Sequence, residues 1–249
     1  MSPDPPIDPP PIVEKRAQSE VFWGYSELFL FVGLAVPAML AGFGLVRAVL
    51  AVFRLHPLRA AEVLMEQFVG YFFLFLVLVV IFHFQYGQPF WRSLGWIRMS
   101  RSPVWIVGAG WLAAVAVAVA GVVMRAPNTN NELTDLMQDT VSLVLVGFFG
   151  VTLGPLAEEL AFRGFVQPLL VKSFGTAPGI LLAALPFGLL HFKEYGQSWK
   201  HVVLISGAGA AFGWMRHRTG STKAAALMHA AYNALFFAAF LGERTRGGH

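Results

Sequence analysis

Three short stretches of this chain combine the side-chain types that hydrolytic chemistry uses. EELAFR at 158–163 supplies two adjacent carboxylates and a guanidinium, FGLLH at 187–191 an imidazole, and HAAYN at 229–233 an imidazole and an amide. On a helix, Glu159 and Arg163 are i,i+4 neighbours on one face and neutralise one another. Glu158 then points about 100° away around the axis. One carboxylate is a structural partner and the other is free. A carboxylate left free in an apolar cavity suits general-base work near neutral pH. His191 shares a helix face with Phe187, and His229 lies one turn from Asn233. If the three helices converge, Glu158, His191, His229 and Asn233 supply a base, imidazoles and hydrogen-bond donors for activating water and stabilising an oxyanion. Each stretch also has a plainer reading. The ion pair can glue helices together, the lone histidine can be a packing residue, and His229 with Asn233 can be interhelical polar glue.

The elements that must position these groups are apolar. Of 249 residues, 56% are hydrophobic and 13% charged, against about 25% charged in soluble domains. FVGYFFLFLVLVVIF (68–82) and GWLAAVAVAVAGVVM (110–124) contain no charge. With their flanks they approach the ~20 residues that cross a bilayer core. The reading is an all-α, polytopic transmembrane bundle of about seven to eight helices. Its apolar segments are roughly 27–50, 67–86, 103–124, 141–171, 177–192, 200–217 and 222–241. Pro155 falls inside the fourth and marks a kink or a join, which would give the eighth helix. Segments five and six are short, so 178–241 is expected to be internal rather than lipid-facing. The chain divides into a disordered proline-rich tail (1–24), N-terminal transmembrane helices (25–140) and a catalytic transmembrane core (141–242).

Charge and composition exclude several functions. The net charge is +4, but the cations sit in short loops at span ends, where they meet anionic headgroups rather than nucleic acid. Trp91, Trp96 and Trp105 lie near them as interfacial anchors. Basic residues divide almost evenly between the two sides, leaning slightly toward a cytoplasmic N-terminus. The lack of cysteine removes thiolate catalysis, disulfides and Cys-ligated zinc. No HExxH stretch is present, although Glu158, His191 and His229 are chemically able to hold zinc. The expectation is a site without a cofactor. The start has no basic region followed by an apolar core and does not read as a cleavable signal.

EELAFR, FGLLH and HAAYN, in this order on successive apolar helices, resemble the motifs EExxxR, FxxxH and HxxxN of the CPBP family (CAAX proteases and bacteriocin-processing enzymes, also called Abi). The resemblance covers about 150–240. It implies a glutamate-dependent intramembrane endopeptidase in which Glu158 is the base and His191 helps to orient and activate water. His229 and Asn233 would form the oxyanion hole, and Glu159 with Arg163 would support the first motif. The implied substrate is a membrane-embedded or lipidated peptide, and the implied place a bacterial inner membrane. The competing readings are a non-proteolytic scaffold or immunity protein of the same fold, and a proton-conducting transporter. The transporter reading would call for inverted repeats that the chain does not show.

Overall fold

The computed structural model describes residues 21–127 and 132–247. Among them there is no strand. In order the helices are α1 (Tyr25–Val52), α2 (Arg59–Val80) with a π-helical turn at Ile81–Gln85, α3 (Phe90–Ser93), α4 (Pro103–Val123) and α5 (Glu132–Leu136). Then come α6 (Thr140–Val151), α7 (Leu153–Glu159), a second π-helical segment (Leu160–Val166), α8 (Gln167–Phe174), α9 (Thr176–Leu190), α10 (Trp199–Thr219) and α11 (Thr222–Gly247).

Five stretches among the described residues are long and apolar enough to cross a membrane: Tyr25–Val52, Arg59–Gln85, Pro103–Val123, Thr140–Phe174 and Thr222–Arg246. The fifth and sixth apolar segments read from sequence fall outside this set. Helix α9 is apolar but has only 15 residues. Helix α10 has 21 residues, and its sequence dilutes apolar side chains with GAGAAFG and MRHR. The expectation that 178–241 is internal rather than lipid-facing fits only one face of α9. Helix α9 buries Ile180, Ala183, Ala184 and Phe187, while Leu181, Leu182, Leu185 and Leu189 on its other side are exposed. A run of leucines suits lipid as well as a core, so composition could not separate the two faces.

The fourth stretch is broken as Pro155 predicts. Proline has no N–H for the carbonyl of Val151, and its ring crowds that carbonyl. Helix α6 accordingly ends at Val151, Thr152 adopts φ −125° and ψ −77°, and α7 begins at Leu153. A few residues on, Pro168 cannot donate to the Gly164 carbonyl, and the Gln167 N–H reaches back five residues to Phe162. The chain is therefore wound as a π-helix between Glu159 and Gln167, a departure that often marks functional positions.

The proline-rich tail lies outside the described residues as far as position 20. From Val21 the chain is docked rather than loose. Trp23 is buried, donates its indole N–H to the Phe165 carbonyl at 3.2 Å, and stacks on Phe82 and Phe165. This aromatic cluster ties the start of α1 to the π segment that carries Arg163.

Candidate functional site

Glu158 and Glu159 end α7, and the turn of the helix separates them as their spacing requires. Glu159 is fully buried, whereas the Glu158 side chain keeps 24% of its exposure. The guanidinium of Arg163, itself 1% exposed, donates to Glu159 Oε1 at 2.9 Å. Its other arm donates to the Gly209 carbonyl at 2.7 Å. Phe187, Phe212 and Phe162 surround it, with the guanidinium carbon 4.4 Å from the Phe187 ring centre. A Cβ at Gly209 would lie 2.9 Å from both the Arg163 guanidinium and the Phe187 ring. A side chain at that position on α10 would push the guanidinium or the ring aside.

His229, on α11, is buried between the two glutamates. Its Nδ1 is 3.0 Å from Glu159 Oε1 and its Nε2 is 3.8 Å from Glu158 Oε2. Phe212 stacks on the ring at 4.5 Å and Phe187 meets it edge-on. His191 sits at the end of α9, where its Nδ1–H donates to the Phe187 carbonyl at 2.8 Å. A carbonyl only accepts, so the proton of neutral His191 is on Nδ1 and Nε2 is bare. Asn233 donates from its amide to the Gly150 carbonyl at 2.7 Å, one residue before α6 breaks. The second N–H of that amide remains for another acceptor.

The six residues singled out from sequence are thus gathered at one place, on α7, the π segment, α9 and α11. Glu158, His191, His229 and Asn233 line one cavity of about 980 Å³, while Glu159 and Arg163 stand behind its wall. The cavity wall also includes apolar side chains such as Val63, Leu64, Val117, Leu204 and Phe236, and it extends to Arg125 and Lys193 at the helix ends. Sequence reasoning missed Gln67, Tyr195, His201 and Tyr232, which line it too. Tyr232 could have been found, because it sits inside the HAAYN motif. Tyr195 could not, since it lies in a loop with no pattern of its own. Burial pushes the Tyr195 phenol well above its usual range, so it stays a neutral hydrogen-bonding group. Among the described residues, no three His, Asp or Glu side chains are grouped so as to hold a metal ion.

Residues 140–235 match the family model described as type II CAAX prenyl endopeptidase Rce1-like. This segment is similar to the CAAX-protease family described by that model. It contains all six residues, and it runs from the first residue of α6 into α11. Neither the search of curated proteins nor that of solved structures gave a match. The CAAX-protease match supports an intramembrane endopeptidase in general terms, and the membrane-length helices make the chain an integral membrane protein.

Proposed function

We propose that this protein is a glutamate-dependent intramembrane endopeptidase. It hydrolyses a peptide bond near the terminus of a membrane-associated protein or peptide, in the inner membrane of a bacterial cell. The observation that carries this reading is the cavity itself. A half-paired carboxylate, two imidazoles and an amide line one cavity within a largely apolar helical bundle. In the reaction, Glu158 removes a proton from a water molecule as the water oxygen attacks the scissile carbonyl. The free N–H of Asn233 donates to the oxyanion that forms, and His191 offers its bare Nε2 to orient the water. The apolar wall accepts an apolar or lipidated terminus, in keeping with a family described as prenyl endopeptidases. No step needs a metal ion or another cofactor.

The test compares protein termini in membranes of the native host carrying the wild-type chain or Glu158→Gln, at equal expression. Glutamine is nearly isosteric and Glu158 is not the ion-paired carboxylate, so the variant is expected to fold. Membrane proteins shortened only in wild-type cells would support the reading and name the substrates and the cut site. Identical termini, with biological function retained, would sink it in favour of a scaffold of the same fold.

A further inference from the structure

The family resemblance casts His229 as an oxyanion donor and Glu159 as a support for Glu158. The hydrogen bonds around His229 point elsewhere. Glu159 Oε1 receives the Arg163 guanidinium and faces His229 Nδ1 on the same atom, while Glu159 Oε2 is buried with no partner. Beside that guanidinium Glu159 is a carboxylate, and a carboxylate only accepts. His229 therefore carries a proton on Nδ1. Its Nε2, aimed at Glu158 and the cavity, has no hydrogen to offer an oxyanion until it takes one up.

That proton comes from the carboxylate on the other side of the ring. Glu158 Oε2 lies 3.8 Å from His229 Nε2, opposite the nitrogen that faces Glu159. A proton taken up by Glu158 therefore has the bare Nε2 beside it. The rings packed on the imidazole are those of Phe187 on α9, Phe212 on α10 and Tyr232 on α11 itself, none of which supplies a charge.

We propose that Glu159 is a positioning residue for His229, and that His229 is the acid that protonates the leaving amine. This rests on the endopeptidase reading. Glu158 takes a proton from water as the C–O bond forms, and that proton passes to His229 Nε2. The imidazolium is held against the Glu159 carboxylate. As the C–N bond breaks, the same proton moves to the departing nitrogen. The products are a carboxylic acid and an amine, and Glu158 and His229 return to their starting state.

Two measurements test it, and they separate its failure from that of the endopeptidase reading. The first needs no substrate. In the full chain with 15N-labelled histidine in lipid nanodiscs, the His229 signals are identified by their loss in His229→Gln. A protonated Nδ1, with Nε2 bare in the Glu158→Gln variant, is expected, and a bare Nδ1 would overturn the role of Glu159. The second uses a peptide bearing the cut site found by comparing termini, made once as the amide and once as an aryl ester. His229→Gln should lower kcat on the amide by ~10²- to 10⁴-fold, the usual worth of a general acid. The ester, whose leaving group needs no proton, should stay within about threefold of wild type, a small fraction of that worth. Equal losses on both would overturn the acid role and return His229 to the oxyanion.

Discussion

At the scale of single residues, Arg163 decides whether the site exists. It bonds Glu159 and the Gly209 carbonyl while lying among three aromatic rings. Removing it takes the counter-charge from the buried Glu159 carboxylate and a donor from the Gly209 carbonyl at once. Breaking a buried ion pair from one side costs ~3–5 kcal/mol. Arg163→Ala should therefore unfold at a clearly lower temperature in detergent, and its cleavage should fall with it. A variant with wild-type thermal unfolding would show that Glu159 finds compensation the structure does not suggest. Lysine should rescue only in part, because it lacks the second, planar arm that reaches Gly209. The pairing of Glu159 with Arg163 was legible from their spacing alone, since local geometry sets it. The approach of His229 to both glutamates was not. It joins residues 70 positions apart and depends on how α11 crosses α7, which no local pattern encodes. The bond from Asn233 to Gly150 was hidden for the same reason, although the proline that ends α6 nearby was in plain view.

At the scale of elements, the boundaries that sequence predicts best are those with a covalent cause. Pro155 breaks the fourth apolar stretch and Pro168 accompanies a π turn, because a missing N–H acts locally. What sequence does worst is the facing of apolar helices. Leu181 and Leu185 on α9 look like core and are exposed, since lipid and core are alike to an apolar side chain. The start of α6 shows how a local signal can be tested. Asp139 caps it, accepting from the N–H groups of Val141 and Ser142 at 2.9 Å each and from the Ser142 hydroxyl at 2.6 Å. These bonds, the Ser142 hydroxyl foremost, hold the carboxyl below its usual pKa. A lowered folded-state pKa gives stability that is present above the unfolded value and is lost as pH falls through the folded one. Asp139→Ala should thus unfold at a lower temperature than wild type at neutral pH. The gap should close on acidification through the carboxylate range, where wild type loses its cap. A gap that persists unchanged in acid would mean that Asp139 does not act as a carboxylate cap.

Over the whole molecule, the two ends of the bundle differ in charge. At one end the segment 86–105 meets the α10–α11 turn through Ser221 to Ile97 and Thr222 to Leu94. This end presents Arg92, Arg98, Arg101, Arg218 and Lys223, and neither 86–105 nor 212–223 contains an Asp or Glu. Trp105 and Trp214, both more than half exposed, lie under Arg101 and Arg218. Aromatic rings at the headgroup level with cations above them are the pattern of an interfacial anchor. At the other end the cations are matched by acids. Arg47 bonds Glu62 and Glu66, and Arg59 bonds Glu62. Net attraction to an anionic leaflet should therefore come from the first end, at ~1 kcal/mol per basic residue near the surface. Replacing neutral phosphatidylcholine with phosphatidylglycerol in nanodiscs should raise the unfolding temperature of the wild-type chain. The triple variant Arg98→Gln, Arg101→Gln and Arg218→Gln should lose most of that gain. Arg59→Gln should keep it, because that arginine is already spent on Glu62. Added salt should erode the gain by screening exposed charges. If the triple variant responds to anionic lipid as wild type does, the basic end is not what the lipid grips.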